Sequence, residues 1–232
     1  MSSEVDAAVS AERTGDVTVL RLTADENRFN PTMLDAIEAV LDEVEAEDGP
    51  GAVVLTGEGK FFSNGLDLDW MASAPPGGAE ELLRRVHALL ARLLAFPTAT
   101  VAAINGHCFA AGAMMAAACD ARVMRADRGF VCLPEVDIGL AFTPGMTALL
   151  KARLPAAAAH EAMTTGRRYG GDQALAAGIV DEAVPEDRVL EAAIERAAAL
   201  ATKPRATLGA IKRNLYADAL AALTADAQPA SG

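Results

Sequence analysis

Two stretches of small residues, each following an apolar run, and one carboxylate downstream of both have the types and spacing to do chemistry. The first stretch is Lys60-Phe61-Phe62-Ser63-Asn64-Gly65-Leu66-Asp67, after Ala52-Val53-Val54-Leu55-Thr56. The second is Asn105-Gly106-His107-Cys108-Phe109-Ala110-Ala111-Gly112, after Thr100-Val101-Ala102-Ala103-Ile104. Small residues let a backbone come close to a ligand. Two backbone N–H groups aimed at one point form an oxyanion hole, which stabilises charge developing on a carbonyl oxygen. Glu135, in Leu133-Pro134-Glu135-Val136, is the candidate base. One carboxylate beside such a hole suits removal of a proton next to a carbonyl.

Those loops need elements to hold them. Both apolar runs read as strands. Residues 16–23 alternate apolar and polar positions, a further strand signal, while residues up to about Gly15 are polar and expected to fray. Asn30-Pro31 opens a helix with Met33, Ile37, Val40, Leu41 and Val44 on one face, closed by Gly49-Pro50-Gly51. Pro75-Pro76-Gly77-Gly78 is a connector into an amphipathic helix over 80–96, where Glu80–Arg84 and Glu81–Arg85 are spaced as i,i+4 pairs. Residues 112–119 read as a small-residue helix and Arg122-Val123-Met124 as a short strand. Helices follow over 156–164 and 170–177, and from Pro185 to about Ala227 with a break near Pro204. Strand–loop–helix recurs three times before Glu135, which implies an α/β domain.

The chain has 232 residues, 52% of them hydrophobic, with a net charge of −12. That length permits one large core. The acidic balance argues against nucleic acid or an anionic membrane as a partner. Apolar stretches are interrupted before about 20 residues, too short to span a bilayer. Cys108, Cys119 and Cys132 are odd in number and lack metal-ligand spacing, which favours free buried thiols. No His–carboxylate cluster has metal spacing either, so no metal is expected. The N-terminus lacks a secretory h-region, and the C-terminus ends Pro229-Ala230-Ser231-Gly232, which is not a peroxisomal tripeptide. A cytoplasmic location is the expectation.

These motifs resemble the crotonase superfamily, the enoyl-CoA hydratases and isomerases. Residues 59–67 look like its first CoA and oxyanion loop and residues 105–112 like its second. Cys119-Asp120-Ala121-Arg122 follows at the family's distance, and Gly178-Ile179-Val180-Asp181 with Val184-Pro185 looks like its late signature. Arg125-Ala126-Asp127-Arg128-Gly129, leading into Glu135-Val136-Asp137-Ile138-Gly139-Leu140, is similar to the Δ3,Δ2-enoyl-CoA isomerases. The resemblance implies a crotonase-like spiral of ββα turns over 1–184 and C-terminal oligomerisation helices over 185–232. It implies acyl-CoA thioester substrates, no separate cofactor because CoA belongs to the substrate, and a homotrimer or dimer of trimers. It assigns the oxyanion N–H groups to Leu66 and Ala111, where the family often has Gly at the second; the φ of Ala111 must then suit a Cβ. Met114 stands where the hydratases carry a second catalytic glutamate. One glutamate fits a double-bond shift from 3-enoyl-CoA to 2-enoyl-CoA better than addition of water. Another CoA-thioester reaction or a silent acyl-CoA-binding subunit are the alternatives.

Substrate contacts are expected from Lys60, Ser63, Asn64, Gly65, Asp67, Phe109, Gly112, Met114 and Leu140. Several have plainer readings. Lys60 suits a solvated surface as well as a CoA phosphate, and Gly65 and Gly112 suit tight packing as well as close approach to CoA. Asp67 and Asp120 commonly cap or brace, and Asp137 competes with Glu135 only if the segment is extended. His107 reads as packing because no nucleophile pairs with it. Trp70, Met71 and Met115 line an acyl pocket or fill the core, and Phe142 joins Phe109, Met114 and Leu140 in an apolar surround for Glu135.

Overall fold

The computed structural model describes residues 8–227. Its strands are β1 Val9–Thr14, β2 Val17–Leu22, β3 Ala52–Gly57, β4 Phe61–Ser63, β5 Ala99–Ile104, β6 His107–Phe109, β7 Ala121–Arg125, β8 Val131–Cys132 and β9 Glu182–Val184. Its helices are α1 Pro31–Ala46, α2 Leu68–Ser73, α3 Gly78–Leu94, α4 Ala111–Ala118, α5 Pro144–Arg153, α6 Ala156–Thr165, α7 Gly171–Ala176, α8 Val189–Ala198, α9 Arg205–Leu215 and α10 Ala217–Asp226. The chain repeats strand, strand, helix. β1 and β2 form an antiparallel hairpin before α1. In the next three turns the first strand joins one sheet and the second another. The large sheet has the order β1-β2-β3-β5-β7-β9 and the small one β4-β6-β8. After the hairpin these strands pair with one another in parallel, because each turn advances in the same sense. This is the ββα spiral that the resemblance implies.

β3 and β5 are buried at every position. A parallel sheet covered on both faces requires such unbroken apolar runs. Leu20, Leu22, Val53, Leu55, Ala102 and Ile104 face the core shared with α1, α3 and α4. Val17, Val19, Val54, Val101, Ala103 and Val123 face the other way, against Val189, Ala192, Ala193 and Ala197 of α8. The region from 185 onward thus begins with a helix that covers the main sheet. α10 then lies against α5 and α3. The terminal residues quoted above, Pro229 to Gly232, lie outside the described residues.

The corners between the sheets are laced together. Asn105 Nδ2 donates to Gly59 O at 3.1 Å, and its Oδ1 accepts from Gly57 N at 3.0 Å. His107 N donates to Lys60 O at 3.0 Å. A Cβ on Gly106 would sit 2.1 Å from that same Lys60 oxygen, so the stacking of the corners requires glycine there.

Some expectations change. Residues 9–14 form β1 rather than fraying, because six register pairs with β2 satisfy their backbone. The helix expected at 80–96 is α3, two residues earlier at each end. Neither i,i+4 pair forms on it. Arg84 pairs with Glu81 one turn back, and Arg85 reaches across to Asp35 and Glu38 of α1 at 2.7 and 2.8 Å. Packing of α3 on α1 offers Arg85 two carboxylates where its own helix offers one. All three cysteines are free and buried. Among the described residues no helix is long and apolar enough to cross a membrane.

Candidate active site

The small sheet, the first turns of α2 and α4 and the segment before α5 enclose a cavity of about 450 Å³. Glu135, Leu66, Ala111, Asn64, Phe109, Met114 and Leu140 all line it.

The two loops meet at Gly65. With φ at +83° it adopts a conformation that favours glycine, and a Cβ there would lie 2.8 Å from Ala110 Cβ and 3.2 Å from Ala111 N. Gly65 O accepts from Phe29 N at 2.7 Å, and Asp67 N donates to Phe29 O at 3.0 Å. With both neighbours turned toward Phe29, the N–H of Leu66 faces the opposite way. Ala111 opens α4, whose first amides have no carbonyl one turn back to bond. Neither the Leu66 nor the Ala111 N–H has a protein acceptor among the described residues. The conformational demand expected at Ala111 falls instead on Ala110, at φ 50° and ψ −124°. A side-chain-bearing residue held there is strained, by roughly 1–3 kcal/mol, and its ψ sets the direction of the following amide, that of Ala111.

Glu135 sits in a short 3-10 turn, Pro134–Val136, that Pro134 opens with its φ already fixed. The residue is 7% exposed, and its buried Oε2 has no hydrogen-bond partner among the described residues. Burial pushes its pKa from the ordinary 4.5 up to about 7, against a small opposing pull from its own backbone amide. Among the described residues no cation offsets the loss of water. Asp137, two residues on, is exposed and does not line the cavity; its carboxylate lies beside Gly166, where a Cβ would meet Oδ2 at 2.4 Å.

The other expected contacts brace the loops. Ser63 Oγ donates to Asn27 O at 2.7 Å and accepts from Gly65 N at 3.2 Å. Asp67 caps α2 by accepting from Trp70 N at 3.0 Å, and it also accepts from Asn30 Nδ2 at 3.2 Å. A Cβ on Gly112 would collide with the Ser63 oxygen at 2.7 Å, so Gly112 allows α4 to touch the first loop. Lys60 is exposed, its ammonium 5.4 Å from the Phe61 ring centroid. None of these four lines the cavity, nor does Gly65. Asp120 accepts from Thr100 N at 2.8 Å and from the buried Lys212 ammonium at 2.6 Å. His107 packs among Phe61, Phe109 and Phe130, with centroids 5.1 to 5.6 Å away, and burial followed by nearby cations lowers its pKa.

Met71 is in the wall; Trp70, Met115 and Phe142 are not. The sequence reading missed Arg28, Asp69, Leu83, Thr143 and Met146, which also line the cavity. Arg28 is held between Glu26 at 2.6 Å and Asp69 at 2.9 Å, at the rim. Leu83, on the apolar face of α3, offers no mark that separates a wall residue from a core one. Thr143-Pro144 does offer a helix-start signal that points to an ordered element there.

The sequence profile described as enoyl-CoA hydratase/isomerase matches residues 12–229. Enoyl-CoA delta isomerase 3 of Arabidopsis thaliana is 37% identical over 215 residues, covering 88% of this chain and 90% of the relative. A putative enoyl-CoA hydratase of Thermus thermophilus is 36% identical over 211 residues, covering 88% and 81%. The solved apo structure of an enoyl-CoA isomerase of Mycobacterium tuberculosis superposes with a TM-score of 0.89 at 31% identity, covering 96% of this chain and 97% of that one.

Proposed function

We propose, for a chain that belongs to the enoyl-CoA hydratase/isomerase family, a double-bond shift from 3-enoyl-CoA to 2-enoyl-CoA. The observation that carries this reading is the pairing, in one cavity, of a buried carboxyl with no charged partner and two unused backbone N–H groups. The thioester oxygen would rest against the N–H groups of Leu66 and Ala111. The Glu135 carboxylate removes a proton from C2. The C–H electron pair forms a C1–C2 double bond, the carbonyl π pair moves to the thioester oxygen to give a dienolate, and the two amides stabilise it. The protonated Glu135 then returns the proton at C4, leaving the double bond between C2 and C3.

A pKa near the working pH suits a group that must both take and give a proton. Losing one oxyanion donor costs roughly 2.7–4 kcal/mol of transition-state stabilisation, so the orientation of both amides matters. Met114 supports isomerisation over hydration. It is buried in the same wall, where the hydratases carry a second glutamate, and a thioether cannot position or activate water. The other carboxylate in the lining, Asp69, is paired with Arg28.

Turnover of 3-enoyl-CoA and hydration of 2-enoyl-CoA, measured on one preparation, test the reading. Isomerisation should dominate. Hydration equal to or faster than isomerisation would overturn it. Acyl-CoA binding without turnover would indicate a silent binding subunit instead.

A further inference from the structure

One polar group in the cavity wall has no part in the proton transfer described above. Thr143 caps α5, its Oγ1 accepting from Met146 N at 3.2 Å. The same oxygen lies 2.8 Å from Nε2 of His87, a residue of α3 that is 1% exposed. Asp226 of α10 stands behind the pair. Its Oδ2 is 3.8 Å from His87 Nε2 and accepts from Gly145 N at 2.6 Å. The second ring nitrogen, Nδ1, is buried without a hydrogen-bond partner among the described residues. The Leu83 backbone one turn back lies near the ring but outside hydrogen-bond geometry. Three helices therefore fix one hydroxyl in a wall made mostly of Leu, Met, Ala and Phe.

A hydroxyl can donate once and accept twice. Thr143 uses one acceptor site for Met146 N–H and one further site for His87. If Nε2 carries the ring proton, Thr143 accepts it and keeps its own proton to donate. If Nδ1 carries the proton, Thr143 donates to Nε2 and keeps a lone pair. Either way one hydrogen-bonding position remains on a residue that lines the cavity. A plain alkyl chain bound there would strip water from this position and offer nothing in return. A ligand hydroxyl at this position would add a hydrogen bond that an alkyl chain cannot make.

We propose that Thr143, held by His87 and Asp226, makes the site selective for acyl-CoA esters with a hydroxyl on the acyl chain beyond C4. A substrate hydroxyl can donate or accept, so it complements Thr143 in either arrangement of the ring proton. The inference rests on the reading of this cavity as an acyl-CoA site and names a narrower substrate class for it.

The test compares straight-chain 3-enoyl-CoA esters of equal length, without and with a hydroxyl at successive carbons beyond C4. Dissociation constants of the matching saturated esters, from calorimetry, are measured beside kcat/KM. At one carbon or more the hydroxylated ester should be preferred roughly tenfold in both quantities. Thr143→Val should remove most of that preference and Thr143→Ser should retain it. Equal affinity of the wild-type protein for hydroxylated and plain esters at every position overturns the proposal, even if the valine variant fails to fold after losing its helix cap. A preference in binding without isomerase turnover would leave this inference standing and sink the double-bond shift; turnover without a preference would do the reverse.

Discussion

Glu135 is buried among apolar side chains, and nothing charged among the described residues compensates it. Gln keeps its size but cannot take a proton. Glu135→Gln should therefore lower kcat by roughly 10²–10⁴-fold with acyl-CoA binding largely intact. Asp137→Asn, at the exposed neighbour, should retain most activity. Loss of turnover in Asp137→Asn but not in Glu135→Gln would move the base to Asp137. The same carboxyl also affects stability. Its folded pKa, about 7, lies above the unfolded value near 4.5. Between those values the unfolded chain releases the proton and the folded one keeps it. The stability contributed by the protonated form is complete below about pH 4.5 and is lost as pH rises through about 7. The loss is of order 3 kcal/mol. Urea unfolding of wild type and Glu135→Gln at pH 4.5 and pH 8 should show the variant gaining on the wild type at the higher pH. A difference that does not change with pH would refute this.

At the scale of elements, the site depends on how closely two turns of the spiral approach. Gly65→Ala would place a methyl 2.8 Å from Ala110 Cβ, at a backbone angle that disfavours any side chain. We expect it to move the Leu66 and Ala111 amides apart, lowering kcat at least tenfold for each misplaced donor. Steady-state kinetics on a variant whose circular dichroism is native checks this; full activity would show that the contact is not needed. The elements legible in the sequence were those with a long period or sharp punctuation. β3 and β5 show as apolar runs, α1 by Asn30-Pro31, and α3 by its apolar face. β4, β6 and β8 were not legible, because two or three residues carry no periodicity and become strands only by pairing with one another. β1 was missed because four of its six residues are exposed and polar or small. Within the site, Leu66, Ala111 and Glu135 were legible because family-like loops mark them. Thr143, Leu83 and Met146 reach the cavity from elements whose placement is decided by tertiary contacts far apart in the sequence.

At the scale of the whole molecule, the C-terminal helices leave apolar side chains uncovered. Ile211 and Leu215 of α9 are 55% and 67% exposed, while α8 and α10 bury theirs against the core. Exposed apolar patches commonly mark contacts with other chains. We expect a homotrimer or a pair of trimers, read as mass by light scattering at micromolar concentration. A monomer there would refute it.

The two amides proposed for the oxyanion hole, those of Leu66 and Ala111, lie on opposite sides of the exposed connector at residues 75–77. A chain cut at that connector would yield one piece bearing Leu66 and another bearing Ala111 and Glu135. Neither piece holds a whole catalytic apparatus, however well it folds. Separately expressed halves should be inert, and turnover should appear only on mixing, rising with the product of their concentrations until the pair saturates. On the proposed mechanism the protein should act as a complementation reporter, in which catalysis itself signals that two fragments have found each other. Activity in either half alone would show that the hole is not shared between them.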